Sequence, residues 1–396
     1  MRPTQPGASA ETARLGAILA QIEVHMDPTP ILQDWAELEA TTPVSVYQTP
    51  AFVIPWLETI GAARGIQPFF VLARDRQERA AALLCLGIER HGPFRVASFL
   101  GGRESNSNLG LFRPDLSVTR ADLVALLRTA SKALGRGAPH VFLLKNQPYA
   151  WRDIANPLAL LPHQPSPSFA YATELSSPGE KFLAAKLSKD TRKKLRKKEA
   201  RLGDIGPVNA ISNDTPATAR TILDTFLAEK IARCEARSLD VDFVDPAVRR
   251  FLERLSYPTD NGAPWLEFHA LRAGERIVAT YAGVTYRKHF SCMVNSFDAA
   301  PEIAKSSPGD LLLMRLVASL CDKGLESFDL GIGEARYKNT YCDETIALFD
   351  AILPINAMGH VAATLAGLRL RAKRMIKQNP KLFAQMSRLR RIIPVL

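Results

Sequence analysis

Short apolar stretches separated by polar turns fill the first part of the chain. They predict strands at 68–73, 80–89 and 94–99, then a helix at 121–134 and another strand at 140–145. Strands are short apolar or alternating runs, whereas helices need longer segments with apolar residues every three or four positions. This order is typical of a meandering sheet that is covered by a helix.

The same order of elements returns in the second half of the chain. Strands are predicted at 265–272, 275–286 and 289–295, followed by a helix at 309–322 and a strand at 327–330. A unit that occurs twice, each time with a mixed, mainly antiparallel sheet flanked by helices, predicts α/β (α+β) architecture. A helical bundle or an all-β sandwich would not show this alternation.

Helical spacing also appears outside the two copies. It predicts helices at 11–23 and 31–40 near the N-terminus, and at 217–237 and 246–255 between the copies. Since 396 residues exceed the size at which one core usually stops growing, we expect two domains with a boundary near 165–185.

The end of the chain predicts one strand and two helices. The strand covers 345–353, and the helices cover 361–377 and 381–391. The helices combine apolar positions with arginine and lysine in an amphipathic pattern. Such a pattern is consistent with contact to an anionic membrane, and equally with two helices that pack on the protein and turn their cations to water.

Composition excludes several classes of protein. With 46% hydrophobic and 23% charged residues, the chain is typical of a folded globular protein. Its apolar runs are too short to span a bilayer, and its first residues lack an apolar signal segment, so we expect a cytoplasmic protein. The five cysteines and seven histidines are scattered without metal-ligand spacing, so we expect no metal site.

The net charge of +11 is concentrated in two segments. Residues 186–201 carry nine basic and two acidic residues, and residues 351–396 carry nine basic residues and no acidic one. A local excess of positive charge indicates one anionic partner surface, such as phosphate groups or an acidic membrane face.

The start of the predicted helix at 309–322 is a candidate anion site. Unpaired N–H groups in a first helical turn and the positive end of the helix dipole attract phosphate, and a glycine permits close approach. An ordinary helix cap is the alternative, because an acidic residue in the first turn would itself complement the dipole. The candidate binding residues are Ser306, Ser307, Pro308, Gly309, Asp310 and Leu311.

Candidate catalytic residues lie at the end of the predicted strand at 327–330 and in the segment after it. Ligands often bind where strands of α/β sheets end. Tyr337 can donate a proton to a leaving thiolate, and Asp329 or Glu334 can accept one from an incoming amine or hydroxyl. Lys338 completes this set. A turn-capping aspartate and an exposed Tyr-Lys pair are the structural alternatives.

A short basic helix is predicted between the two copies. Its cations converge on neighbouring helical faces, as a phosphate-bearing ligand would require, although a solvated run of charges gives the same pattern. We do not expect nucleic-acid binding, because no aromatic residue is interleaved with the cations. The candidate substrate-binding residues are Lys189, Arg192, Lys193, Arg196 and Lys197.

Three motifs in this order resemble a known superfamily. They are L-S-K-x-x-R-K-K-L-R-K-K at 187–198, S-P-G-D-L-L-L at 307–313 and F-D-L-G-I-G-E-x-x-Y-K at 328–338. Together they resemble GNAT acetyltransferases of the type associated with cellulose and exopolysaccharide biosynthesis. They are also distantly similar to Fem-type peptidoglycan aminoacyl transferases.

The resemblance implies two tandem GNAT-like units. The expected limits are a flexible N-terminus at 1–28, a degenerate unit at 29–175, an acyltransferase unit at 176–358 and a basic helical tail at 359–396. The Q/R-x-x-G-x-G/A loop of ordinary GNAT proteins is absent. The stretch 101–108 lacks the S-P-G-D-L pattern and is expected to line a substrate groove.

The resemblance also implies an activity. The C-terminal unit would splay its central strands, admit acetyl-CoA between them and transfer the acetyl group directly to a glycan or sugar-nucleotide acceptor. Two alternatives remain: a Fem-like aminoacyl transferase acting on a cell-wall precursor, and a non-catalytic protein that binds a nucleotide. The expected location is the cytoplasm, with possible peripheral contact to the inner membrane.

Overall fold

The computed structural model describes residues 20–236, 242–258, 262–379 and 381–382. Its contacts divide the chain into two compact units. Of the described residues, unit 1 comprises 20–168 and 347–378, and unit 2 comprises 169–236, 242–258, 262–346, 379 and 381–382.

Unit 1 contains a mixed sheet and a small hairpin. Its described strands are β1 (Gln21–His25), β2 (Gln67–Arg74), β3 (Ala80–His91), β4 (Phe94–Phe99), β5 (Leu111–Phe112), β6 (Val141–Pro148), β7 (Ala150–Trp151), β8 (Ile154–Ala155), β9 (His163–Pro165) and β17 (Leu348–Pro354). The main sheet runs β1-β2-β3-β4-β6-β17-β9, β5 pairs with β3, and β7 pairs with β8. All main-sheet pairs are antiparallel except β4 with β6.

The helices of unit 1 cover its sheet. They are α1 (Leu32–Thr41), α2 (Pro50–Trp56), α3 (Arg120–Ala133) and α11 (Ala357–Gln378). Helix α3 presents Leu123, Leu126 and Leu127 to the core, and its start is closed by a capping box between Thr119 and Asp122. Helix α11 packs on β17 and β6. A Cβ at Gly359 would stand 1.8 Å from the carbonyl oxygen of His140, so only glycine allows this approach.

Unit 2 repeats the architecture. Its described strands are β10 (Ala170–Glu174), β11 (Val208–Ser212), β12 (Glu267–Ala273), β13 (Arg276–Tyr286), β14 (His289–Phe297), β15 (Ser327–Ile332) and β16 (Glu344–Ile346), in the order β11-β12-β13-β14-β15-β10-β16. All pairs are antiparallel except β14 with β15. The seven strands of this sheet therefore match the seven strands of the main sheet of unit 1 in order, and β10 has the place that β17 has in unit 1.

The helices of unit 2 pack on both faces of its sheet. They are α4 (Gly179–Lys186), α5 (Lys189–Gly203), α6 (Pro216–Glu235), α7 (Pro246–Ser256), α8 (Pro301–Ala304), α9 (Pro308–Asp322) and α10 (Lys338–Tyr341). Helix α6 contacts β12, β13 and β14, while α9 contacts the same strands together with α4 and α5. The leucines of α9, with Phe290 and Phe328, form the core on the α9 side.

The predicted architecture is confirmed, but three local predictions differ from the structure. Residues 21–23 of the predicted helix at 11–23 are strand, because Gln21–His25 pairs with β2; residues 1–19 lie outside the described residues. This strand also lies inside the segment expected to be flexible. The predicted strand at 345–353 is two strands, β16 and β17, which belong to different units.

The C-terminal segment also differs from the expected domain limits. Strand β17 pairs with β6 and β9, and α11 packs beside it, so residues 347–378 complete unit 1 and do not form a separate tail. Residue spacing does not predict that the chain comes back to unit 1 after residue 346, because strand pairing between distant segments leaves no local pattern. Of the second predicted helix at 381–391, only residues 381–382 are described.

Candidate functional site

Strands β14 and β15 pair only at their beginning. Their parallel register joins His289 to Ser327, Phe290 to Phe328 and Ser291 to Asp329, and no further pair follows among the described residues. Strand β14 nevertheless continues to Phe297 beside β13, and β15 continues to Ile332 beside β10. The two strands therefore diverge after Ser291 and Asp329, and each leaves one backbone edge that no described strand covers.

The register of β13 and β14 shifts close to this point. Ala282 is opposite Val294 and Gly283 is opposite Cys292, so Met293 is an additional residue on β14. Such a bulge turns backbone groups away from the ladder. The irregularity lies one residue beyond Cys292, just after the strands diverge.

Helix α9 begins without a side-chain cap. Ser307 precedes it with a left-handed backbone (φ 47°), and no side-chain cap hydrogen bond forms at this end of the described helix. Lys198 of α5 donates a hydrogen bond from Nζ to Ser307 Oγ at 2.6 Å. The N–H groups of the first turn and a lysine thus create a positive site of the kind that binds phosphate.

Neighbouring residues leave this helix start suited to an anionic ligand. Ser306 is fully buried, and its Oγ has no hydrogen-bond partner within the described residues. A Cβ at Gly309 would meet nothing closer than Phe297 at 3.9 Å, so the backbone is accessible there. Burial raises the pKa of Asp310, while Lys198 opposes this shift. Pro308 and Leu311 are core residues.

Three of the predicted catalytic residues make structural contacts. Asp329 accepts hydrogen bonds from the Gly331 N–H and pairs with His289 Nε2, both at 2.8 Å. Glu334 accepts one from the Phe169 N–H at 3.3 Å. Lys338 is buried and donates from Nζ to the carbonyls of Gly331 and Ile332 at 3.1 and 3.0 Å. These bonds hold the end of β15.

Tyr337 lies against the free segment of β14. Its hydroxyl accepts a hydrogen bond from Asn295 Nδ2 at 3.2 Å and also bonds with Tyr281. Burial raises the pKa of Tyr337 to about 12, with a smaller contribution from Cys292. The phenol therefore keeps its proton at neutral pH and remains available as a donor.

Glu229, a carboxylate that the sequence patterns did not single out, lies on the face of β14 opposite Tyr337. Glu229 of α6 accepts a hydrogen bond from Ser296 Oγ, which also pairs with Thr280 at 2.7 Å. Burial raises the pKa of Glu229 from its ordinary 4.5 to about 7, and Asp298 adds to this effect. Because Asn295 and Ser296 are consecutive strand residues, Tyr337 and Glu229 approach β14 from opposite faces.

The basic helix is confirmed as α5, with Leu195 and Leu202 buried as its anchors. Four of its predicted binding residues are exposed: Lys189, Lys193, Arg196 and Lys197. Arg192 is half-buried, and its Nε has no hydrogen-bond partner in the described chain segments. The cation that reaches the start of α9 is Lys198, which the helical spacing did not single out.

The sequence held a signal for Glu229 but none for Lys198. Ile222, Phe226 and Glu229 share one face of the predicted helix at 217–237, so a carboxylate on an apolar face marked this position. The contact between Lys198 and Ser307 joins residues 109 positions apart and depends on how α5 packs beside α9.

The cysteines and histidines have structural environments. Cys292 and Cys321 are core residues, and burial raises the pKa of Cys292 to about 12. His289 is bonded to Ser327 and Asp329. His269 Nε2 lacks a hydrogen bond within the described chain but lies 3.9 Å from a carboxylate oxygen of Glu267, and burial lowers the pKa of His269 to about 4. The described residues contain no cluster of three or more potential metal ligands.

Comparison with known proteins identifies a domain. Residues 189–339 match the family model described as an acetyltransferase (GNAT) domain. This match covers the diverging strands, the start of α9, Lys198, Glu229 and Tyr337. No curated protein matches the chain in sequence.

Solved structures resemble this chain at low identity. A conserved protein of unknown function from Bacteroides thetaiotaomicron VPI-5482 is 14% identical, with a TM-score of 0.52 over 84% of this chain and all of that chain. FemX is 9% identical, with a TM-score of 0.54 over 87% of this chain and all of its own. A tandem GNAT protein from the clavulanic acid biosynthesis pathway is 9% identical, covering 85% of this chain and 99% of that chain, with a TM-score of 0.49.

The domain match and the doubled architecture agree. Two units of matching strand order form the α/β fold, and the matched residues lie in unit 2. Unit 2 therefore carries an acetyltransferase (GNAT) domain within a tandem GNAT-like fold, and the protein is an acyltransferase.

Proposed function

We propose that the protein is an acyl-CoA-dependent N- or O-acetyltransferase that acts on a sugar or polysaccharide precursor, with acetyl-CoA as the acyl donor. The observation that carries the donor assignment is the divergence of β14 and β15 beside the uncapped start of α9. A thioester would supply the reactive carbonyl. The glycan acceptor, of the kind used in exopolysaccharide or cellulose biosynthesis, is supported by the resemblance of the three sequence motifs.

The residues around α9 suit the diphosphate of coenzyme A. The proposed binding residues are Ser306, Ser307 and Gly309, with Lys198 supplying a charge-assisted hydrogen bond. The orphaned Oγ of Ser306 and the open space at Gly309 fit this group. The backbone of Pro308, Asp310 and Leu311 completes the turn, whereas the side chains of Pro308 and Leu311 belong to the core.

Glu229 and Tyr337 suit the two proton transfers of an acyl transfer. Near neutral pH, Glu229 is partly ionised and can accept a proton from the attacking amine or hydroxyl. Tyr337 keeps its proton and can donate it to the leaving sulfur. Because they act from opposite faces of β14, attack and departure can occur on opposite sides of the carbonyl.

The remaining predicted site residues act by positioning in this proposal. Lys338, Asp329 and Glu334 fix the end of β15, which borders the gap between the strands. N–H groups on the uncovered edge of β14 polarise the carbonyl. The exposed cations of α5 are available to an anionic acceptor such as a sugar nucleotide.

A second candidate is favoured by the same exposed cations. Lys189, Lys193, Arg196 and Lys197 would also suit aminoacyl-tRNA, as a Fem-like transferase on a cell-wall precursor would require. A third candidate is a non-catalytic protein that binds a nucleotide. In all three cases we place the protein in the cytoplasm.

One assay separates these functions. The purified full-length protein is mixed with acetyl-CoA and a panel of amino sugars, sugar nucleotides and oligosaccharides, and release of the free thiol is followed. Acceptor-dependent release with a glycan supports the proposal. Transfer only from aminoacyl-tRNA supports the second candidate. Calorimetric binding of coenzyme A or a cyclic dinucleotide without turnover on any acceptor supports the third and contradicts ours.

A further inference from the structure

Helix α11 turns most of its large apolar side chains away from the protein. Its buried residues are the small ones, Gly359, Ala362 and Gly367, which allow close approach to β6 and β17. Leu370 and Ile376 are half-buried. The other large apolar residues are between 43% and 66% exposed: Met358, Val361, Leu365, Leu368 and Met375. Helices on a free protein surface usually show the reverse arrangement.

The exposed residues form one continuous surface. At 3.6 residues per turn, these five positions fall within an arc of about 100°, opposite the buried face. We call this surface the α11 stripe. A contiguous exposed apolar surface of this kind indicates an interaction site, whereas single exposed apolar residues do not.

Charge around the α11 stripe selects among possible partners. Helix α11 contains five basic residues and no acidic residue. Arg374 and Lys377 donate hydrogen bonds to the Ser166 carbonyl and the Ser168 hydroxyl, whereas the other three are exposed: Arg369, Arg371 and Lys373. Arg369 and Arg371 lie on either side of the stripe. The chain beyond it, residues 379–396, has four basic residues and no acidic one. Both this segment and a second copy of α11 would bring like charge against the stripe.

We propose that the α11 stripe lies on an anionic lipid surface, with its apolar residues in the interface and the exposed cations of α11 at the phosphate headgroups. Within the described residues, no helix is long and apolar enough to cross a membrane, so this contact lies in the plane of the surface. The site is in unit 1 and is independent of the proposed acetyl transfer.

Flotation with lipid vesicles tests the proposal. The full-length protein should float with vesicles of phosphatidylcholine and phosphatidylglycerol at low salt, bind phosphatidylcholine vesicles weakly, and dissociate as salt increases. A triple variant, Val361→Gln, Leu365→Gln and Leu368→Gln, should lose at least about tenfold in binding, because interfacial binding scales with buried apolar area. These side chains are exposed, so the fold should be retained, as circular dichroism would show.

Matched variants separate the α11 stripe from general effects. Ile154→Gln with Leu160→Gln removes exposed apolar residues elsewhere in unit 1 and should leave flotation unchanged. Arg369→Gln with Lys373→Gln should weaken binding severalfold and reduce its salt dependence. Coenzyme A affinity should stay unchanged in every variant, which keeps this test distinct from that of the proposed activity.

Three results would overturn the proposal. The first is no flotation of the full-length protein with anionic vesicles at low salt. The second is equal flotation of the triple variant. The third is a full-length dimer that becomes monomeric in the triple variant without any vesicle binding, since this would assign the α11 stripe to a second copy of the chain.

Discussion

The same pair of strands diverges in both units, but the gap between them differs. In unit 1, β4 and β6 pair only at Val96 with Val141 and Ala97 with Phe142. The loop after β4 then returns to β6, where the Asn108 N–H donates to the Asn146 carbonyl at 3.1 Å and Asn108 Nδ2 donates to the Lys145 carbonyl at 3.0 Å. In unit 2, no such loop bonds link β14 and β15 beyond Ser291 within the described residues.

The loop of unit 1 is fixed by buried polar contacts. Ser105 donates to Asn108 Oδ1 at 2.8 Å, and both Ser45 and Gln48 donate to the Ser107 carbonyl at 2.9 and 3.0 Å. Residues 101–108 were expected to line a substrate groove. In the structure, this loop satisfies backbone groups of β6, and β6 has the place in unit 1 that β15 has in unit 2.

The helix that follows each gap shows the same contrast. In unit 1, Thr119 and Asp122 close the start of α3 with a reciprocal capping box, so a carboxylate already occupies the positive end of the helix. In unit 2, α9 also has an acidic residue in its first turn, Asp310, but it has no side-chain cap, and Lys198 Nζ donates to Ser307 at its start. The same strand order thus accompanies a capped helix start in unit 1 and an uncapped one in unit 2, where we propose that the donor binds.

The largest effect is expected from Glu229→Gln. Removing a general base costs about 10²- to 10⁴-fold in kcat, whereas donor affinity should be retained. Because burial raises the pKa of Glu229 to about 7, its ionisation destabilises the folded state as pH rises from 4.5 to 7. The variant should therefore be at least as stable as the parent at pH 8.

Steady-state kinetics and thermal unfolding check this prediction. Asp224→Asn on the same helix, at a residue paired with Arg249, is the matched control and should keep its kcat. A Glu229→Gln enzyme with nearly full kcat would exclude the proposed base.

Lys198→Glu should produce the next largest effect. It removes the lysine contact at the start of α9, which is one of the differences between α9 and α3. A charge-assisted hydrogen bond contributes about 1.5–3 kcal/mol, so coenzyme A affinity should fall about 10- to 100-fold, and reversal of charge adds to the loss. Calorimetric titration with coenzyme A measures this loss of affinity. Lys181→Glu makes the same change in net charge at an exposed site of α4, and equal losses in both variants would refute a specific phosphate contact.

Asn108→Ala tests the closed gap of unit 1. Its amide is buried and satisfies the Lys145 carbonyl, so we expect a loss of about 1–3 kcal/mol in the free energy of unfolding. Denaturant unfolding measures this loss, with Asn209→Ala at an exposed position of β11 as the control. Coenzyme A affinity should not change. A large drop in that affinity, without unfolding, would place donor binding in unit 1.

Sequence patterns predicted local elements well and distant pairings poorly. The strands at 80–89 and 275–286 and the helix at 309–322 match β3, β13 and α9 within a few residues, because apolar spacing and turn residues act locally. The pairings of β10 with β15 and of β17 with β6, by contrast, join strands that are more than a hundred residues apart in the sequence.

The candidate site shows the same division. Motifs located the start of α9 and the end of β15, where the acyl donor is proposed to bind. The environment of each side chain needed tertiary structure: Lys338 proved to be a buried donor to two carbonyls, and Glu229 owes its raised pKa to burial. Residue spacing predicts neither how far a side chain is removed from water nor which side chains lie on opposite faces of the same strand.

The smallest expected effect is a shift in pH dependence in Ser296→Ala. The hydrogen bond from Ser296 lowers the pKa of Glu229 against the larger effect of burial, so its removal should raise that pKa further above about 7. A base acts only when ionised, and the rise of kcat/KM with pH should therefore move to higher pH. The variant should lose activity at pH 6 and approach the parent at pH 9. Thr285→Ala, at an exposed position farther along β13, should leave the profile in place. A uniform loss across all pH values would instead mean that Ser296 contributes packing and does not tune the base.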